Sequence, residues 1–296
     1  MSGSPTITPA SRRQDWILAA ALFVLTAVVF WPALRGIAAQ TFAHEQLKQS
    51  FLIVVLAGGW IAWDQRAALR LELRISNEVI GWLFASYLLA AGALWWKTPL
   101  LFVAGMVAAA GGLVNYVFGG RAFKRTLPLL IVFAVLVLCV LLFPILDWPL
   151  RKMAGVESAR LLKSLGLAPE LGVTASHEDV RLILRTGAQT FIVATECNGF
   201  GLITSSLLLG LIRLLYQRAT AVWFLCLLPL CIAVAFAFNF LRITSIVLLA
   251  PRFPGHYTAL HETAGIVALY AGLGVVWLLT GTKRADATTK RGSATA

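Results

Sequence analysis

Eight apolar runs dominate this sequence, and each is bounded by charged residues, Pro or Gly. A run of about 20 apolar residues has the length that crosses the hydrocarbon core of a bilayer as a helix. The runs cover about residues 16–34, 49–63, 79–96, 99–118, 127–147, 198–216, 221–240 and 262–280. Only 13% of the residues are charged, against about a quarter in an average soluble chain. The sequence therefore predicts an all-α polytopic membrane protein with about eight transmembrane helices.

The distribution of Lys and Arg predicts the orientation of these segments. If the N-terminus is cytoplasmic, the short outside loops hold Arg35, Lys48, Lys97, Arg242 and Arg252, whereas the inside segments hold more than half of the 25 Lys and Arg residues. Cytoplasmic loops collect positive charge during insertion. We therefore expect both termini to be cytoplasmic. The net charge of +12 then indicates contact with anionic lipid of the bilayer, with no nucleic-acid partner.

This topology divides the chain into five regions. They are a cytoplasmic N-terminal tail (1–15), five N-terminal transmembrane helices (16–147), an external loop (148–197), a three-helix membrane region (198–280) and a cytoplasmic tail (281–296). The first ten residues and the tail after Gly281 are polar, which predicts disorder in both.

The external loop carries a pattern typical of strands. Residues 180–185 and 189–195 are rich in β-branched side chains and flank Thr186-Gly187-Ala188. Such runs around a Gly turn favour a small external β-hairpin, after which the sixth helix begins near Asn198. A single long helix that starts at Thr190 is the competing interpretation.

Three segments bring chemically versatile side chains to the predicted outer face. They are Cys197 with its neighbours Glu196, Asn198 and Gly199 at the start of the sixth segment, Asn239 and Arg242 at the outer end of the seventh, and His261 with Glu262 at the start of the eighth. Asn239 and Arg242 are three residues apart and so share one helical face. A thiol, a guanidinium and an imidazole at one membrane boundary are sufficient for acyl transfer at a peptide bond.

Several of these residues have a plainer interpretation. Arg242 is also placed as an interfacial anchor would be, and His256 competes with His261 as proton donor. Glu196 and Glu262 are either rim carboxylates or groups that orient the His or Arg. The remaining cysteines (Cys139, Cys226 and Cys231) are interpreted as packing residues. We expect no cofactor and no metal, since His256 and His261 lack a third ligand in a matching position.

The motifs Cys197-Asn198-Gly199, Asn239-Phe240-Leu241-Arg242 and His261-Glu262-Thr263-Ala264-Gly265 resemble those of the exosortase and archaeosortase family. The family pattern has a Cys-Ser-Gly-like motif at a helix start, Asn-x-x-Arg at the next helix end and a His before the last helix. The specific resemblance covers about residues 180–270. Asn198 stands where Ser is usual in the family, which suggests a subtype with its own recognition sequence.

The resemblance implies a membrane cysteine protease and transpeptidase, with Cys197 as nucleophile, Arg242 as oxyanion or thiolate stabiliser and His261 as proton donor. Asn239 would support Arg242. The implied partners are membrane-anchored proteins with a C-terminal sorting tail, made of a short motif, a membrane helix and a basic cluster. The implied location is the bacterial inner membrane, with the site on the periplasmic face. The alternative is a non-enzymatic component of envelope or polysaccharide export assembly.

Overall fold

The computed structural model describes residues 9–64, 66, 71–176, 179–187, 189–193, 197–253 and 255–281. Within these ranges it contains the helices α1 (Pro9–Ala43), α2 (Glu45–Asp64), α3 (Asn77–Trp96), α4 (Pro99–Ser164), α5 (Phe200–Tyr216), α6 (Ala221–Leu249) and α7 (Tyr257–Gly281). Five of them, α1, α3, α4, α6 and α7, are long and apolar enough to cross a membrane. The protein is therefore a multi-pass membrane protein, and the count of eight spans stays a prediction.

Two of the predicted segments, 99–118 and 127–147, lie in the single long helix α4. Gly119 interrupts its helical backbone with a φ of 77°, a conformation that glycine adopts without steric cost. α4 also continues beyond the predicted end at residue 147. The segment 148–164 is rich in Leu, Ala, Arg, Lys and Glu, which are strong helix formers, so its charges do not end the helix.

Three further helix boundaries differ from the prediction. α6 continues to Leu249 rather than ending near residue 240, because the apolar run resumes directly after Arg242. α7 begins at Tyr257, so His261 lies inside the helix and not before it. α1 begins at Pro9, within the predicted N-terminal tail. Residues 1–8 and 282–296, for which the sequence predicts disorder, lie outside the described residues.

The chain forms two compact units, Met1–Ala43 with Val54–Leu138, and His44–Ile53 with Cys139–Ala296. In the first unit, α1, α3 and the start of α4 share a core around Ala19, Val79, Leu83 and Tyr116. The second unit contains every residue that the sequence singles out as a candidate for chemistry and that the structure describes.

A three-stranded antiparallel sheet of order β1-β2-β3 precedes α5. Its strands are β1 (Pro169–Ser176), β2 (Asp179–Thr186) and β3 (Gln189–Val193). β2 and β3 lie where the sequence predicts a hairpin, whereas β1 is an additional strand. The competing interpretation of a helix from Thr190 is wrong, because β3 pairs with β2 in the register Leu182↔Val193 and Leu184↔Phe191.

One face of this sheet is buried. Leu182, Leu184, Phe191 and Val193 pack with Leu162 of α4 and with residues of α6 that include Ile243 and Val247. Burial of one face fixes the register, since a slip by one residue would turn these four side chains outwards. This face of the sheet therefore packs against α4 and α6. Cys197 follows four residues after the last strand.

Candidate active site

Cys197 lies in the short connection between β3 and α5 and is 5% exposed. Gly199 forms the N-cap of α5 with a φ of 79°, which L-residues adopt only under strain. A Cβ at this position would also lie 2.8 Å from Asn239 Nδ2 on α6. Because the two residues lie this close, Asn239 reaches the carbonyl oxygen of Cys197 and donates a hydrogen bond of 3.0 Å to it. The glycine and the asparagine together fix the backbone that carries the thiol.

The thiol of Cys197 and the guanidinium of Arg242 both contact one atom of the His261 imidazole, Nε2. Cys197 Sγ lies 3.2 Å from His261 Nε2, and Arg242 Nη2 lies 3.3 Å from the same nitrogen. A guanidinium carries only donors, so Nε2 acts as the acceptor towards Arg242. A neutral imidazole in that role holds its proton on Nδ1. Nε2 is thus in position to accept the proton of the Cys197 thiol.

The position of Arg242 depends on a small residue in α7. Gly265 lies one helical turn after His261, on the same face of the helix. A Cβ at Gly265 would be 3.2 Å from Arg242 Nη2 and 3.3 Å from its Cζ. The guanidinium therefore packs against the backbone of α7 directly beside His261. A larger side chain at Gly265 would push it away.

Asn198 connects the cysteine turn to α4, a contact that the sequence did not indicate. Its Oδ1 accepts a hydrogen bond of 2.7 Å from the amide of Phe200, and its Nδ2 donates to Asp147 Oδ1 at 2.6 Å. Asp147 also forms an ion pair with Arg151, four residues later in α4. The sequence contains one signal for this ion pair, because an acidic and a basic residue stand four residues apart at the end of an apolar run.

A second residue that sequence reasoning missed is Gln46 of α2. Its Oε1 accepts a hydrogen bond of 3.0 Å from the amide of Gly201 at the start of α5. The first amides of a helix have no partner within the helix, so Asn198 and Gln46 satisfy two of them. No motif marks Gln46, which is 155 residues away from its partner in the chain.

An apolar wall encloses the other side of Cys197. A narrow cavity of about 20 Å³ adjoins the thiol and His261. Its lining comes from β2 and β3 (Leu184, Phe191, Ile192 and Val193), from α6 (Ile243, Ile246 and Val247) and from Tyr257 of α7. The ring of Tyr257 lies between those of Phe191 and His261, with centroid distances of 6.3 Å and 6.1 Å. Water has little access to the thiol from this side.

The remaining candidates fall outside this cluster. Within the described part of the chain, His261 and not His256 contacts Cys197, and the side chain of His256 is exposed. Glu262 is exposed, and Glu196 lies outside the described residues. Cys231 is buried, Cys226 is exposed and Cys139 is partly buried. Among the described side chains, no group of three His, Cys, Asp or Glu could hold a metal ion.

Comparison with known proteins gives one match. The family described as transmembrane exosortase matches residues 39–278, which is most of the chain and includes the whole cluster around Cys197. No curated protein and no solved structure matches the chain.

Proposed function

Because the chain belongs to the transmembrane exosortase family, we propose that it is a membrane cysteine transpeptidase with Cys197 as its nucleophile. The observation that carries this proposal is the 3.2 Å contact between Cys197 Sγ and His261 Nε2. A thiol within hydrogen-bond reach of an imidazole is the arrangement that activates a cysteine for attack on a carbonyl.

In the first half of the reaction, His261 Nε2 takes the thiol proton and the sulfur attacks the carbonyl carbon of the scissile peptide bond. The carbonyl electrons move to the oxygen and form a tetrahedral oxyanion. When the intermediate collapses, the C–N bond breaks and His261 returns its proton to the leaving amine. The products are a thioester on Cys197 and a released C-terminal segment.

Arg242 changes its partner during this step. Once Nε2 carries a proton, it no longer accepts a hydrogen bond from the guanidinium. Arg242 then directs N–H groups to the thiolate or to the oxyanion. A fixed cation beside developing negative charge lowers the barrier most in a site that excludes water, such as the apolar wall beside Cys197.

In the second half, an acceptor amine or hydroxyl attacks the thioester carbon. The C–S bond breaks, the acceptor proton passes through His261 to the sulfur, and Cys197 is regenerated. The transferred protein leaves as an amide or ester of the acceptor. If water takes the place of the acceptor, the same residues make a protease.

The predicted location of the site and the family membership support one substrate class. We propose membrane-anchored proteins with a C-terminal sorting tail as substrates. Their own helix would lie in the bilayer beside α6 and α7 and present the preceding motif to Cys197. The excess of Lys and Arg in the predicted inside loops supports a site on the periplasmic face of a bacterial inner membrane.

The experiment that tests this proposal is the mass of a C-terminally tagged candidate substrate. It is co-expressed with the wild type, with Cys197→Ala, or with Cys231→Ala as a matched cysteine control. We expect the tag to be lost with the wild type and the control but to remain with Cys197→Ala at equal protein abundance. A product heavier than the cleaved substrate would identify transfer. Uncleaved substrate with all three, across every protein of the genome with such a tail, would overturn the proposal in favour of an assembly component.

A further inference from the structure

The hydrogen bond between Asn198 and Asp147, beside Cys197, has no role in the proposed reaction. Asp147 and Arg151 pair with each other, and the side chain of each is 15% exposed. Removing an ion pair from water costs free energy that the pair itself often does not recover. Its presence beside the nucleophile therefore points to a role in specifying geometry.

The two ends of the Asn198 side chain have different requirements. A carboxylate only accepts hydrogen bonds, so Asp147 requires the Nδ2 end of Asn198 to face it. This leaves Oδ1 to face the amide of Phe200, where it caps the first turn of α5. The side chain of Asn198 is fully buried, so water does not compete for the hydrogen bond at either of its ends.

We propose that Asp147 is a positioning residue for the nucleophile, acting through Asn198 on the turn that carries Cys197. Arg151 holds the carboxylate of Asp147 in place from the next turn of α4. Through this chain of contacts, α4 sets the orientation of the turn relative to His261 on α7. The inference rests on the proposed function where it concerns catalysis, but its effect on the thiol is measurable without any substrate.

Exchange of the two side chains provides the test. The starting protein carries Cys139→Ala, Cys226→Ala and Cys231→Ala, so that Cys197 is its single thiol. The variants are Asp147→Asn, Asn198→Asp and the double exchange. The readout is the rate at which iodoacetamide alkylates Cys197 in the folded, membrane-embedded protein. Glu157→Gln is the matched control, since it removes the exposed ion pair to Arg160 on the same helix.

Asn198→Asp places two carboxylates where a 2.6 Å hydrogen bond exists now, and like charges at that distance repel. We expect the alkylation rate of Cys197 to change by about tenfold or more. Asp147→Asn is expected to change it by a smaller factor, because an amide at position 147 still offers an acceptor. Glu157→Gln is expected to leave the rate unchanged.

The double exchange is expected to restore the rate to within about threefold of the starting protein, a coupling that independent sites do not show. It keeps one carboxylate and one amide, so both hydrogen bonds are possible again. The carboxylate at position 198 still accepts from the amide of Phe200, and only the bond between positions 147 and 198 has its direction reversed. Additive effects in the double variant, or single variants that alkylate at the starting rate, would overturn the inference. A double variant that reaches the membrane at normal abundance with an unreactive thiol would also overturn the inference. A double variant that does not accumulate in the membrane would overturn it as well.

The same variants separate this inference from the proposed function. Restored alkylation together with restored substrate cleavage supports both. Restored alkylation in a protein whose wild type cleaves no substrate supports the positioning role and counts against the transpeptidase. A kcat that falls in Asp147→Asn while KM stays constant is the kinetic result expected when the nucleophile is misplaced but the substrate still binds.

Discussion

The two units of this protein each contain a cavity, and the larger cavity is not the one with the reactive groups. In the first unit, a cavity of about 240 Å³ lies between α3 and α4 and is lined by apolar residues such as Trp82, Val107 and Phe123. In the second unit, the cavity beside Cys197 and His261 is only about 20 Å³. Volume alone would direct attention to the first unit, whereas the chemistry of the lining favours the second.

The same contrast holds for polar groups in the interior. Buried polar side chains in the first unit are few and scattered (Thr26, Thr41, Ser86 and Asn115). Among the described residues of the second unit they are more numerous (Ser50, Ser158, Asn198, Thr204, Ser205, Ser206, Asn239, Thr244 and Thr280). Ser50 of α2, for example, lies 3.1 Å from Ser205 of α5. Polar groups are costly inside a membrane protein, so their concentration marks the unit where geometry is specified.

Within the second unit, the largest loss of cleavage is expected at His261. We expect His261→Ala to lower the cleavage rate by about 10²–10⁴-fold, because no group then takes and returns the proton. The cleavage rate of a tagged substrate measures this effect. His256→Ala is the control, since this exposed residue lies just before α7 and should leave the rate unchanged. Equal losses in the two variants would assign the proton transfer elsewhere.

The next effect is expected at Arg242. Arg242→Lys keeps the positive charge but replaces the planar fork of donors with a single ammonium group. We expect kcat to fall by about 10²–10³-fold with little change in protein abundance, since the lost donors act on the oxyanion. Single-turnover kinetics with a tagged substrate provide the measurement. A wild-type kcat in this variant would mean that Arg242 acts only as a membrane anchor.

Much of the second unit was predictable from the sequence, for a physical reason. The strands were predictable because their β-branched residues alternate between two faces. Leu184 and Phe191 are buried, as that alternation requires. Cys197, Arg242 and His261 were identifiable as candidates because ionisable and nucleophilic residues are rare in apolar segments. Their convergence was expected because the predicted topology brings the ends of three consecutive segments to one side of the membrane.

What the sequence did not predict depends on contacts between distant parts of the chain. Asp147 and Gln46 are 51 and 155 residues away from their partners, and neither stands in a motif. The ends of α4 and α6 were misplaced for a different reason. A charge at the end of an apolar run predicts the end of a helix. In α4 the helix continues because the residues that follow are strong helix formers, and in α6 because the apolar run resumes after Arg242.

A smaller effect is expected at the glycine that allows Arg242 to approach α7. Gly265→Ala places a Cβ about 3.2 Å from Arg242 Nη2, so the guanidinium must shift. We expect the cleavage rate to fall by about tenfold, because small displacements of a catalytic group are costly. Gly274→Ala on the same helix is the control, since a Cβ there meets nothing within 4 Å. Rates compared at equal abundance measure the effect, and equal rates in both variants would contradict it.

The smallest effects compare the two cavities directly with one added methylene in each. Val107→Ile extends a side chain into the large cavity of the first unit, and Val247→Ile does so in the narrow cavity beside Cys197. Filling a cavity commonly stabilises a protein by about 0.5–2 kcal/mol, so Val107→Ile should raise the melting temperature slightly and leave cleavage unchanged. Val247→Ile overfills its site and should slow cleavage by about threefold through displacement of neighbouring side chains.

Thermal unfolding in detergent and the cleavage rate of one tagged substrate measure the two outcomes side by side. Each variant is the control of the other, because the chemical change is identical and only the cavity differs. If Val107→Ile slowed cleavage as much as Val247→Ile, the large apolar cavity would take part in the reaction cycle. Cavity volume would then indicate function better than the chemistry of the lining does, and the first unit would share in the reaction with the second.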